Sequence, residues 1–263
     1  MKRDELDQFL RELYQYETFD DYCYNGLQVE GSEDIHKILF GVSFHSLLLE
    51  EAIREHADAI IVHHGIFGKD FFKIHEPFKK TLHTLLDKNI SLFGIHLPMD
   101  AHTEIGNNAE LARMIGASIL EPFEVGFLVE NTRNLSLQQI INLYHKELDP
   151  SGDDHEIVHP SPLHYKTRGG IQYYDFGPDT PGKIGILSGG GSGYIRDAQL
   201  LGADTYITGE MKEHLPAYLN DHGLNYINLG HYRSETTGVL ALKRRIEKIY
   251  SVECVYREIF NPI

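Results

Sequence analysis

Cysteine is almost missing from this chain: Cys23 and Cys254 are the two thiols in 263 residues. They form no CxxC pair, and a chain of this length does not need a single disulfide to fold, so both read as reduced residues of the core. With so little sulfur, a metal site has to be built from nitrogen and oxygen ligands. Long apolar runs are also lacking. No stretch of about 18 apolar residues occurs, which excludes a membrane-crossing helix, and the segment from Met1 to Leu6 has no apolar signal region. The expectation is a cytoplasmic protein. Positive charge is scarce: 24 Lys and Arg face 39 Asp and Glu, for a formal net charge of -15. A field of that sign repels a phosphate backbone, so nucleic acid is a poor partner. A small anion in a pocket that contains metal cations is still compatible with it.

Histidine is the abundant residue, with sixteen copies. Otherwise the composition is ordinary globular, 41% hydrophobic and 24% charged, and the length suits one large α/β domain or two small ones. Leu6, Phe9, Leu10 and Leu13 recur at helical spacing and predict an opening amphipathic helix. Asn25-Gly26 marks a turn. Strands are expected over 37–43, over the apolar run 59–62, over 91–96, 183–187, 205–208 and 226–229, and over 251–257. Helices are expected over 47–55, 77–88 and 107–115, from a Ser136 cap to about 147, near 196–201, and over 236–249. The middle of the chain is less regular, with a polar loop over 149–154. Strands alternating with helices predict an α/β fold with largely parallel sheets.

In such sheets, ligands collect at the carboxyl ends of strands. His63-His64 ends one expected strand, His96-Leu97-Pro98-Met99-Asp100 another, Gly209-Glu210 a third and Gly230-His231 a fourth. In His231-Tyr232-Arg233-Ser234-Glu235, the imidazole and the carboxylate are four residues apart and share one face if a helix starts near His231. His63 and His64 cannot both point one way in a regular strand, because side chains alternate. Five such ligands with one bridging carboxylate suit two metals about 3.5–4 Å apart. Each motif also has an ordinary reading. A strand-end His is commonly a hydrogen-bonded structural residue, His and Glu at i, i+4 are commonly a solvated pair, and Asp100 fits a turn or cap. The joint placement at strand ends is what favours metal. Gly189-Gly190-Gly191-Ser192-Gly193 follows a strand but lacks the Lys of a P-loop, and Tyr194 breaks the dinucleotide fingerprint, so a tight turn is the better reading. No GxSxG motif is present, and neither Cys has a catalytic context.

At these residues the chain resembles the NIF3-like family, also known as GTP cyclohydrolase 1 type 2 homologs. The matching stretches are Asn25-Gly26-Leu27-Gln28-Val29, Ile61-Val62-His63-His64-Gly65, His96-Leu97-Pro98-Met99-Asp100, Gly191-Ser192-Gly193, Tyr206-Ile207-Thr208-Gly209-Glu210 and Gly230-His231-Tyr232-Arg233-Ser234-Glu235. The resemblance implies two interlocked α/β lobes, an internal cavity and a toroidal homohexamer. It implies two divalent metal ions per chain: His64 and Asp100 on one, His63 and His231 on the other, Glu235 bridging. Zinc, iron, manganese and cobalt all suit such ligands.

The expected organisation is one lobe over 1–122, a second over 123–228, and a C-terminal return to the first over 229–263. The expected function is a dinuclear metal-dependent hydrolase acting on a nucleotide or related small molecule, with His96 and Glu210 as supporting or proton-transfer residues. The alternative is a metal-binding or metal-delivery scaffold without turnover.

Overall fold

The computed structural model describes residues 1–69, 73–148 and 155–261. The expected polar loop over 149–154 lies outside them. The chain divides into two compact units: Met1–Gly106 with Gly238–Phe260, and Asn107–Thr237. The return to the first unit therefore begins inside the last helix, Thr236–Ile249, rather than at the expected 229, and His231 and Glu235 belong to the second unit.

In the first unit, α1 (Arg3–Tyr14) leads to strands β1 (Gly26–Val29) and β2 (Lys37–Ser43), helix α2 (Ser46–Arg54), strand β3 (Ala59–His64), helix α3 (Phe78–Asp87), strand β4 (Ser91–Gly94) and the short helix α4 (Leu97–Ala101). The sheet order is β1-β4-β3-β2 followed by the C-terminal strand Glu253–Tyr256. All pairings are parallel except β1 with β4. β1 was not expected. It starts at the Asn25-Gly26 turn, where Gly26 takes a φ of +96°, a value that a side chain would resist.

Alternation along the strands sorts the core into two layers. Ile38, Phe40, Ile61 and Phe93 pack with Leu6, Leu10, Val239, Leu242 and Ile246. Leu39, Ile60, Val62 and Leu92 face the other way, onto Leu48, Leu49, Ala52 and Leu85. Helices thus cover both faces, and each large apolar side chain withdrawn from water stabilises the unit by about 1.5–3 kcal/mol. That burial explains why β2, β3 and β4 read as continuous apolar runs.

The second unit starts with α5 (Asn107–Ile115), then β5 (Ser118–Phe123), β6 (Gly126–Glu130), α6 (Leu137–Leu148), β7 (Glu156–His159), β8 (Tyr165–Arg168), β9 (Ile171–Asp175), β10 (Lys183–Leu187), α7 (Ile195–Leu200), β11 (Thr205–Thr208), α8 (Leu215–His222), β12 (Asn225–Asn228) and α9 (His231–Ser234). The sheet order is β5-β6-β10-β11-β12-β9-β8-β7. β10, β11 and β12 are parallel, as expected; antiparallel strands extend the sheet on both sides. The Ser136 cap is present as a capping box. Its Oγ accepts from the Gln139 amide at 3.2 Å, and the Gln139 side chain accepts from the Ser136 amide at 2.8 Å. Among the described residues, no helix is long and apolar enough to cross a membrane.

Candidate metal-ligand clusters

The first cluster grows from the ends of β3 and β4. His63 continues the row of Ile61, and its ring is fully buried. Its Nδ1 lies 2.9 Å from the carbonyl oxygen of Ile95, just past β4. A carbonyl only accepts, so Nδ1 carries a proton and donates. Nε2 stands 3.6 Å from Oδ2 of Asp100, a buried carboxylate on α4. His64 takes the opposite row, and its Nδ1 is 2.9 Å from the Ser43 hydroxyl across the β2–β3 register. The His63 and His64 rings are nonetheless only 4.5 Å apart, since the strand ends there. His96 joins them, with ring centroids 5.1 Å from His63 and 5.6 Å from His64. Nitrogens of these three histidines lie within 4.8 Å of one another, close enough to face one ion.

His96 is held by a residue that sequence reasoning did not single out. Asp21 Oδ1 accepts from His96 Nδ1 at 2.9 Å and from the Cys23 amide at 3.0 Å. Asp21 Oδ2 accepts from the Leu97 amide and from Asn25, both at 3.0 Å. The Asn25 side chain in turn accepts from the His96 amide at 2.7 Å. Burial alone would pull the His96 pKa down, but the hydrogen bond to Asp21, with the Cys23 thiol also near, pushes it up to about 10. The same contacts hold the Asp21 carboxyl well below the usual range, against its own burial. The one available signal was an aspartate four residues before Asn25-Gly26; its histidine partner is 75 positions away. Cys23 also departs from expectation. Cys254 is buried, but Cys23 is half-buried and lines a cavity instead of the core.

The second cluster is in the second unit. His231 Nδ1 is 2.7 Å from Glu210 Oε1, and His231 Nε2 is 3.2 Å from Glu235 Oε1. The hydrogen bond to Glu235, and then that to Glu210, raise the His231 pKa to about 9 despite burial. The i, i+4 pair therefore faces one way, although α9 ends at Ser234 and Glu235 sits in the junction before the next helix. Glycines bring the strand ends onto this segment. Gly189, at φ +58°, would place a Cβ 2.0 Å from Glu235 Oε1, and a Cβ on Gly209 would come within 2.7 Å of the His231 Cα. The glycine-rich stretch continues as a turn of 3-10 helix, Gly191–Tyr194.

The described chain thus contains buried or half-buried His, Asp and Glu groups able to hold metal. The fit is chemical as well as spatial. His63 and His64 each have Nδ1 engaged by a carbonyl or hydroxyl, and His231 by a carboxylate, which is how metal-bound imidazoles are commonly oriented, with Nε2 as the ligand atom.

Comparison with known proteins decides the family. The model for Duf34/NIF3 (NGG1p interacting factor 3) matches residues 1–262. The chain belongs to the Duf34/NIF3 family. It is 36% identical to the GTP cyclohydrolase 1 type 2 homolog of Haemophilus influenzae over 98% of each chain. It is 34% identical to the protein of the same name from Escherichia coli K12 over the whole of both. Among solved structures, the protein ybgI, described as of unknown function, is 32% identical with a TM-score of 0.86 over both full chains. A Thermus thermophilus protein is 31% identical with a TM-score of 0.82, also over both full chains. The NIF3-like fold expected from the sequence is the fold found.

Proposed function

We propose that this Duf34/NIF3 protein is a metal-dependent hydrolase in which His63, His64, Asp100, His231 and Glu235 hold two divalent ions, with Glu235 as the shared ligand. The observation that carries this reading is the common tethering of the imidazoles. Ile95, Ser43 and Glu210 each engage an Nδ1, so the ligand atom of each ring would be its Nε2. Ions held there would lower the pKa of a bound water and polarise the bond under attack.

The chain's own residues do the positioning. Asp100 supplies a buried carboxylate beside His63. Glu210 orients His231 and supports its basicity. His96 keeps a proton on Nδ1 against Asp21, next to the rings of His63 and His64. The relatives' name points to a nucleotide or similar small molecule as substrate. The toroidal hexamer and the cytoplasmic setting belong to the same reading and are carried by resemblance.

Metal content per chain tests the proposal, on protein purified without added metal and compared with Glu235→Ala. Two ions in the wild type and a clear loss in the variant support it and justify a screen of nucleotide hydrolysis. No stoichiometric metal, or content indifferent to Glu235, overturns it.

A further inference from the structure

A third cluster in the first unit combines the three donor elements: a carboxylate oxygen of Asp21, the Cys23 sulfur and a His96 nitrogen lie within 4.8 Å of one another. We propose that Asp21, Cys23 and His96 form an additional, thiolate-bearing position for one divalent ion of the zinc type. None of the five ligands of the dinuclear reading is used, although an ion here would take the His96 nitrogen that the proposed function leaves protonated against Asp21.

The geometry suits an ion. His96 Nδ1 and Asp21 Oδ1 are 2.9 Å apart. Bonds of about 2.0–2.2 Å at a tetrahedral ion put two ligand atoms about 3.3–3.6 Å apart, so an ion would replace the proton now shared by this pair once the two side chains part by about half an ångström. The donors are fixed before any ion arrives. The Cys23 and Leu97 amides and Asn25 all bond to Asp21, and Asn25 bonds to the His96 amide. The Cys23 segment is pinned from its other side, where the Tyr24 amide donates to the Phe67 carbonyl at 3.0 Å and the Lys69 amide to the Tyr22 carbonyl at 2.7 Å. Ligands restrained in this way lose little freedom on binding.

The cluster also has an open side. A cavity of about 330 Å³ is lined by Cys23 and His64, with Tyr22, Ile66 and Phe67 around them. Three protein ligands plus an open position is the arrangement of exchangeable zinc sites, whereas purely structural sites close with four. Sulfur with imidazole and one carboxylate selects borderline-soft ions such as zinc or cobalt over magnesium or calcium. The ordinary alternative is a hydrogen-bonded Asp21–His96 pair beside an idle thiol, and the two are separable by spectroscopy.

The probe is cobalt(II) alone, added without oxygen to the full chain stripped by a chelator. The wild type should show a near-ultraviolet sulfur-to-cobalt charge-transfer band. Cys23→Ser should lose the band and one equivalent of cobalt, and Cys254→Ser should change neither. Cobalt bound without the band, or a band that survives Cys23→Ser, overturns the proposal and leaves the dinuclear reading untouched. A second measurement needs no variant: saturating zinc should slow iodoacetamide alkylation of Cys23 in the wild type by about tenfold or more, since a metal-bound thiolate is withdrawn from attack. Equal rates overturn the proposal as well.

Discussion

His63 Nδ1 donates to the carbonyl of Ile95 across 2.9 Å, and this bond commits one nitrogen of a fully buried imidazole to a structural partner. Separating the structural bond from the ligand atom is therefore possible. His63→Asn keeps a short amide donor in reach of the Ile95 carbonyl but has nothing in place of Nε2. It should fold and lose metal. His63→Ala strands the buried carbonyl and should cost a further 1–3 kcal/mol or so of stability. Urea denaturation with metal analysis on both variants is the check. An Asn variant that retains full metal content would remove His63 from the ligand set.

Gly189 offers a test that changes no candidate ligand. Its φ of +58°, and the 2.0 Å that would separate an added Cβ from Glu235 Oε1, leave no room for a side chain. Gly189→Ala should cost about 1–2 kcal/mol from the left-handed backbone alone and displace the Glu235 carboxylate, lowering metal content in a folded protein. Gly193→Ala is the control. A Cβ there meets only the Lys212 ammonium, at 3.5 Å, so stability and metal content should stay near wild type. Equal behaviour of the two variants would show that the glycine stretch does not support Glu235.

The clusters were legible where burial imposes a simple pattern. β3 and β4 are covered on both faces, so 59–62 and 91–96 appear as apolar runs, and the polar residues that end them stand out. Three of the strands over 118–175 were not legible because of their position. β5 is an edge strand exposed along most of its length, β7 is the opposite edge, and β8 is only half-buried. Such strands carry no strong alternation, and their pairing is set by hairpin neighbours. Asp21 was invisible for another reason. Its function comes from His96, Leu97 and Asn25 converging on one carboxylate, and a single sequence does not reveal pairings 75 positions apart.

The second unit should show an acid limb in its stability that is traceable to one pair. Asp175 on β9 holds the Lys166 ammonium at 2.7 Å. Burial pushes its carboxyl pKa up, but Lys166 outweighs that and leaves it below the usual value. A lowered folded pKa means that the contribution is present above the unfolded value of about 3.9 and is lost as pH falls through the folded one. Lys166→Met leaves burial less opposed. Its acid unfolding midpoint should move to higher pH, with a loss near neutrality of at most about 1 kcal/mol, because the pair is partly solvated. Urea midpoints measured from pH 7 downward will show this, and superimposable acid limbs would exclude it.

The two thiols should separate sharply in reactivity on metal-stripped protein. Cys254 is buried on the C-terminal strand, and burial raises its pKa to about 11. At pH 8 only about one Cys254 in a thousand is thiolate, the form that attacks an alkylating agent. Cys23, half-buried on the wall of its cavity, has no such barrier of access. Iodoacetamide should therefore label Cys23 in the native protein while Cys254 waits for unfolding, and in urea the two should react at similar rates. Peptide mass spectrometry over a time course gives both rates at once. Native labelling of Cys254 as fast as Cys23 would mean that the C-terminal strand opens readily from β2, contrary to the parallel register that ties Cys254 to Ile38.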